Sequence, residues 1–317
     1  MTAAANTVRR TPQATVGKVD RATFRDPALQ AEFERTGFAI LPFLTPDQVK
    51  VARQFFSGLD DPAGQGFQTD FQHPDAVRKQ TIHDAMSQMA APVMADLLDR
   101  YRPFMSTFLA KWPGEGSGLY VHQDWSYVDE QRHRSVVIWV ALEDIGPDHA
   151  NGPLAVLPGS HRVAGEHRGT STGAWYTERA DDVAASLIPV SVTAGDAIIL
   201  DNAVVHASPD NTTADLRLAM AFACIPEEAQ LHHAVGRPDG RVDLLDVDDR
   251  FFREVTPSSL VQRVPEPWAK TARTVAARWR APDLPLASRL CGIDLVAPPT
   301  SPLGGSAPPD MGASLTG

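Results

Sequence analysis

Cysteine is nearly absent: the 317 residues include only Cys224 and Cys291. Two thiols cannot build a disulfide framework, and their scarcity fits a reducing compartment. No apolar run reaches the roughly 18 residues that a membrane-crossing helix needs. The opening "MTAAANTVRRTPQATVGK" lacks the apolar centre of a secretory signal. Basic residues are the minority charge, 29 Lys and Arg against 39 Asp and Glu, for a formal net charge of −10. That balance argues against a polyanionic partner such as nucleic acid. These absences predict a cytoplasmic protein with no nucleic-acid or membrane partner.

What is present suffices for a folded body. Hydrophobic residues make up 43% of the chain, enough for a sizeable core. Residues 1–24 are polar and unpatterned, and from 296 the chain runs "VAPPTSPLGGSAPPDMGASLTG", too poor in apolar bulk to pack. Two disordered tails are therefore expected around a single domain at 25–295, which contains no repeat and no break in composition.

The first third reads helical. "DPALQAEFERTG" has Pro27 near its start and Gly37 just past its end. "TPDQVKVARQFFSGL" opens on Thr45 as N-cap with Pro46 behind it. "DAVRKQTIHDAMSQMAAPVMADLLDRY" carries apolar residues at three- and four-residue steps, the stripe of a long amphipathic helix. Before the second helix, "FAILPFL" reads as a short strand.

After residue 101 the period changes. "FMSTFLAKW", "GLYVHQD", "RSVVIWVALEDI", "PLAVLPG", "SLIPVSV", "GDAIILD" and "RLAMAFACI" are short, rich in β-branched and aromatic residues, and bounded by turn formers. Such a series predicts a mainly β fold, an antiparallel barrel or double-sheet roll, with helices packed outside. The stretch 161–186 has no strand pattern and is long enough for a loop or lid over a site.

His-x-Asp occurs twice. In "HPD" (73–75) the proline stands before the long helix, where it suits a helix-entry turn. In "HQD" the pair ends a strand-like run, and residues two apart on a strand share a face, so His122 and Asp124 can converge. An imidazole and a carboxylate are two members of the 2-His-1-carboxylate triad that leaves positions open at Fe(II). Alone, the pair reads equally as exposed polar residues at a strand end. A third ligand is available at His206, and Arg217 follows eleven residues later. A hairpin-like return through Pro209, Asp210 and Asn211 would bring Arg217 back beside His206. Its planar fork suits bidentate binding of a carboxylate. Singly, His206 reads as a core or surface histidine and Arg217 as an ion-pair partner. His232 and His233 are neighbours whose side chains diverge on a strand, so they read as a solvated pair.

Four stretches, in order, resemble the phytanoyl-CoA dioxygenase-like family of Fe(II)- and 2-oxoglutarate-dependent oxygenases over roughly residues 30–230: "HQDWSYVDE", "VVIWVALEDI", "NGPLAVLPGSHR" and "GDAIILDNAVVHASPDNTTADLR". The resemblance implies a double-stranded β-helix, a jelly roll of the cupin-like kind. It places the metal and catalytic set on His122, Asp124 and His206, and the 2-oxoglutarate carboxylate on Arg217. Ser208, Trp139 and Thr107 would line the same co-substrate, and His161 and Arg162 read as a structural landmark. The implied cofactors are Fe(II), 2-oxoglutarate and O2, and the implied activity is hydroxylation of a C–H bond in a small molecule by a monomer or homodimer. In related halogenases a small residue replaces the metal carboxylate, so an intact Asp124 points to hydroxylation. Trp125 and Tyr127 beside the metal aspartate, and Trp175 in the 161–186 stretch, are candidates for substrate contact, with Trp175 and Tyr176 together as a candidate closing lid. Two other classes remain open: a cupin-like metalloenzyme with no 2-oxo acid, which would not need Arg217, and a non-catalytic β-roll binding module, which would not need the metal ligands.

Overall fold

The helix punctuation behaves as the residue types dictate. α1 (Pro27–Thr36) is capped by Asp26, whose carboxylate accepts from the Ala28 and Leu29 amides, and it stops at Gly37 with φ 85°. A side chain there would be strained at that φ and would strike His161 and Val204. α2 (Pro46–Ser57) opens with a capping box between Thr45 and Gln48. α3 (Ala76–Leu97) begins at Asp75, which accepts from Val77 and Arg78, so the "HPD" motif serves helix entry. The computed structural model describes residues 19, 21–59, 64–163, 167–256, 266–276 and 284–294. Shorter helices follow: α4 (Ala180–Ala185), α5 (Asp249–Glu254) and α6 (Leu284–Cys291). Among the described residues, no helix is long and apolar enough to cross a membrane.

The strands in chain order are β1 (Phe38–Pro42), β2 (Phe67–Thr69), β3 (Tyr101–Lys111), β4 (Leu119–His122), β5 (Val136–Ala141), β6 (Ala155–Val156) and β7 (Ile188–Pro189). Then come β8 (Asp196–Asp201), β9 (His206–Ser208), β10 (Arg217–Pro226), β11 (His232–Gly236), β12 (Arg241–Asp246) and β13 (Arg273–Ala276). A six-stranded sheet has the order β1-β8-β5-β10-β3-β2, and a four-stranded sheet the order β4-β9-β6-β7. Every pairing within them is antiparallel. From β3 to β10 the chain passes repeatedly between the two sheets, which makes the expected jelly roll with helices on its large face.

Alternation assigns each side chain to a layer. On β10, Leu218, Met220, Phe222 and Cys224 pack with Ile82, Met86, Ala90 and Met94 of α3. On the opposite face, Ala219 joins Trp139 of β5, Ile198 and Leu200 of β8 and Val156 of β6, which fills the space between the sheets. Arg217, Ala219, Ala221 and Ala223 thus share the inner face of β10, with Lys111, Leu109 and Thr107 beside them on β3 by register.

Two expectations about the body change. The N-terminal tail placed at 1–24 stops short, because Phe24 is core: it stacks edge-on against Phe33 at 5.1 Å and bridges to Leu98. The rest of that tail lies outside the described residues apart from 19 and 21–23, and the tail at 296–317 lies outside them entirely. Second, β11, β12 and β13 form a further antiparallel sheet after the roll, beyond the expected strand series that ends at "RLAMAFACI".

One residue of α3 breaks the apolar pattern. Lys79 is 4% exposed, and its Nζ is buried with no hydrogen-bond partner. Burial pulls its pKa from 10.5 down to about 8. The folded state therefore binds this proton less tightly than the unfolded chain, so the penalty is full below pH 8 and fades as pH rises toward 10.5. Lys79→Met keeps the length and removes the charge. It is expected to raise unfolding stability by roughly 2–3 kcal/mol at pH 7. Denaturant midpoints of the two proteins at pH 7 and pH 10 check this, with the gap narrowing at the higher pH.

Candidate metal centre

The four-stranded sheet meets the requirements of a metal site at its β4–β9 pair. His122 stands opposite His206 in that register, and the ring centroids are 4.1 Å apart. Asp124 lies just beyond the end of β4, with Oδ1 3.8 Å from His122 Nε2. One donor atom from each of the three residues lies within 4.8 Å of the others. The rings are set by the same device: Nδ1–H of His122 donates to the Tyr120 carbonyl at 2.8 Å, and that of His206 to the Val204 carbonyl at 3.0 Å. A carbonyl can only accept, so each ring keeps its proton on Nδ1 and leaves Nε2 free to ligate. Burial, then the neighbouring His206, depress the His122 pKa to about 4, which keeps that ring neutral at pH 7. Two imidazoles and a carboxylate converging on one point form the facial set that suits Fe(II).

At the end of β4 the chain leaves the ladder, and side-chain hydrogen bonds fix it instead. Tyr176 Oη donates to the Val121 carbonyl (3.2 Å), and Asn202 Nδ2 donates to that of Trp125 (3.3 Å). Gln123 reaches across to the Ala203 carbonyl at 2.5 Å. The "HQDWS" stretch is therefore irregular in backbone yet fixed at several points.

Arg217 is reached by a route other than the hairpin expected. β9 and β10 lie in different sheets, so the Pro209–Asn211 turn carries the chain across from the small sheet to the large one. Arg217 opens β10 and is 2% exposed; its Nε and Nη1 are buried with no hydrogen-bond partner. Its Cζ sits 5.4 Å from the Trp139 ring centroid, a cation–π contact. Burial lowers its pKa to about 10, against the pull of Glu143, so it stays charged at neutral pH. Ser208 follows His206 on the inward side of β9 and is buried. Thr107 lies on the inner face of β3, but its hydroxyl is already engaged with Thr69 Oγ1 (2.7 Å) and the Phe71 amide (3.2 Å).

Lys111 is a site-adjacent residue that the sequence reading passes over. It is fully buried directly across from Arg217, and its Nζ donates to the Ser208 carbonyl at 3.1 Å and to that of Pro209. It thus ties the end of β9 to the large sheet. A lysine inside the apolar run "FLAKW" is the signal that could have drawn attention to it.

The aromatic candidates separate. Trp125 and Tyr127 belong to an inner cluster with Phe104, Ala223 and Phe252. Trp175 and Tyr176 pack with Leu157, Val183 and Val205, with Val121 against them. Val121 and Val205 are the strand neighbours of His122 and His206 and point the opposite way, so this layer is on the outer side of the small sheet. Trp175 is packed in that outer layer, and the part of 161–186 that is described is packed chain ending in α4. His232 and His233 are not solvated either: both are buried on β11, with His233 4.6 Å from Trp125 and 5.4 Å from Phe251 by ring centroids. His161 is structural as expected, its Nε2–H donating to the Glu34 carbonyl at 3.2 Å.

The chain is similar to several known proteins. A relative from Danio rerio, phytanoyl-CoA dioxygenase domain-containing protein 1, is 32% identical over 131 residues, 39% of this chain and 44% of the relative. Phytanoyl-CoA dioxygenase 1 of Oryza sativa subsp. japonica is 27% identical over 127 residues, with the same coverage of 39% and 44%. The matches thus span less than half the length of these relatives. Among solved structures, HygX from Streptomyces hygroscopicus with nickel and 2-oxoglutarate bound is 21% identical, with TM-score 0.47, over 64% of this chain and 88% of that one. SnoK, a non-heme alpha-ketoglutarate-dependent carbocyclase from nogalamycin biosynthesis, is 20% identical, with TM-score 0.46, over 69% and 88%. The profile of the family phytanoyl-CoA dioxygenase (PhyH) matches residues 28–219, well over half of the sequence. The chain belongs to the phytanoyl-CoA dioxygenase family.

Proposed function

We propose that this protein is an Fe(II)- and 2-oxoglutarate-dependent oxygenase that hydroxylates a C–H bond of a small metabolite or natural-product intermediate, through one domain spanning about residues 25–295. The observation that carries the reading is a pairing: three ligand atoms within 4.8 Å of one another, and a buried guanidinium with two N–H groups lacking partners. Either half alone has ordinary explanations. Together they match a metal with a bidentate 2-oxo acid whose far carboxylate needs an anchor.

His122, Asp124 and His206 would hold Fe(II), with each imidazole fixed by its Nδ1–H bond. Bound Fe(II), with 2-oxoglutarate and O2, supplies the oxidising power, and succinate and CO2 are released. Arg217 would receive the distal carboxylate in its free fork and so satisfy donors that are costly to leave buried. Trp139 would flank the co-substrate while holding the guanidinium against its ring, and Ser208 and Thr107 are the further candidates on that wall. Asp124 retains the third protein ligand, which supports hydroxylation over halide transfer. Trp125 and Tyr127, on the inner side next to Asp124, are the proposed substrate-facing residues.

The test is optical and needs no substrate. Anaerobic protein given Fe(II) and then 2-oxoglutarate is expected to develop a weak visible charge-transfer band, and to release succinate in air when a metabolite panel includes a substrate. No band at saturating Fe(II) and 2-oxoglutarate would sink the proposal.

A further inference from the structure

Asp124 sits outside the β4 ladder, yet a metal ligand must be held to within a few tenths of an ångström. What grips it is a buried ion pair that the proposed chemistry does not use. Arg168 is 6% exposed and Glu130 is 5% exposed. They form a bidentate fork, Nη1 to Oε2 at 2.8 Å and Nη2 to Oε1 at 2.6 Å. A third donor, Nε, points to the Asp124 carbonyl at 2.8 Å. The Arg168 backbone is locked as well: its amide donates to Ser126 Oγ (3.0 Å), and the Ser126 amide donates back to the Arg168 carbonyl (2.9 Å).

The far side of this segment is seated on the third sheet. The Thr170 amide donates to the Ala234 carbonyl at 3.0 Å, and the Gly236 amide to the Thr170 carbonyl at 2.8 Å. Thr170 Oγ1 also meets His233 Nε2 at 3.1 Å. A continuous set of hydrogen bonds therefore runs from β11, through residues 168–170, to the backbone of Asp124.

We propose that Arg168, locked by Glu130, is the positioning residue that sets the Asp124 carboxylate for the metal, with β11 as its buttress. Taking two ions out of water offsets most of their mutual attraction, so a buried pair adds little stability over well-packed apolar residues. What the fork adds is direction. With both Nη groups held by Glu130, Nε has one orientation, and it meets the carbonyl of a metal ligand. Lysine at 168 could keep the charge but lacks the planar fork that holds both partners in one fixed geometry.

The inference rests on the metal-centre reading, and the experiment separates the two. Co(II), added alone to the full chain, is titrated into wild type, Arg168→Lys and the double variant Glu130→Met/Arg168→Met, with thermal unfolding recorded for each. The double variant replaces the pair with apolar residues of similar length and is expected to fold with a melting temperature near that of wild type. Both variants are expected to bind Co(II) about 10–100-fold more weakly, the usual loss when an outer partner of a metal ligand is removed. Co(II) affinity within twofold of wild type in a folded variant would overturn the clamp alone. No Co(II) binding by wild type would overturn the metal-centre reading itself. If neither variant folds, the pair serves the fold and the positioning role is overturned.

Discussion

His206→Ala is expected to abolish metal-dependent chemistry while leaving a folded protein. His206 is the proposed ligand on the far strand of the pair, and its ring lies 4.1 Å from that of His122. Without it only His122 and Asp124 remain, separated by one residue on one segment, and a two-ligand site holds Fe(II) poorly. Losing an outer-shell partner costs about 10–100-fold in metal affinity, so losing a ligand should cost at least ~100-fold, or ~3 kcal/mol. Succinate release should fall below about 1% of wild type at the same Fe(II) concentration, in line with that affinity loss. Thermal unfolding provides the control. Wild type should gain stability from Fe(II) by mass action, about 2.7 kcal/mol at a hundred times the dissociation constant, and the variant should gain none. Without metal the two should melt close together, because His206 contributes one carbonyl hydrogen bond. An unchanged charge-transfer band in His206→Ala would remove this residue from the metal set.

Much of this arrangement was legible in the amino acids. The strands announced themselves by β-branched runs between turn formers, and the helices by Asp26, Thr45 and Asp75 at their caps. "HQD" was ambiguous alone and became a ligand pair only through His206 and Arg217. Longer-range geometry was not legible. The turn at Pro209–Asn211 has the composition of a hairpin, and nothing local tells a hairpin from a crossing between sheets. The third sheet had a readable signal in Asp239-Gly240, which turns β11 into β12, but two histidines and scattered charges masked the alternation. His232 and His233 looked solvated because polarity predicts exposure only until a partner layer is known, here Trp125 and Phe251 against His233. The Arg168–Glu130 fork joins residues 38 apart, on segments with no periodic pattern, and no spacing rule reaches it.

Arg217→Ala should separate co-substrate binding from metal binding, and it should act with opposite signs on function and on stability. The guanidinium is buried, charged, and has two N–H groups without partners, so the ligand-free protein carries its desolvation cost. Alanine removes that cost along with the Trp139 contact. Ligand-free Arg217→Ala is therefore expected to melt no lower than wild type, and Arg217→Met, which keeps the packing, should melt higher. With 2-oxoglutarate present the order reverses. Truncating one partner of a buried, hydrogen-bonded charge pair costs about 2–5 kcal/mol, which predicts a rise in the KM for 2-oxoglutarate of roughly 30-fold to several thousand-fold. Fe(II) or Co(II) alone should bind both variants as it binds wild type, because none of the three ligands is touched. Arg217→Lys should recover only part of the loss, since an ammonium offers a point charge where the fork offers two parallel donors. Titrating 2-oxoglutarate against the anaerobic charge-transfer band measures this directly. A wild-type affinity in Arg217→Ala would place the distal carboxylate elsewhere, and Lys111, whose buried amine lies at the same end of the sheet, would be the next residue to replace.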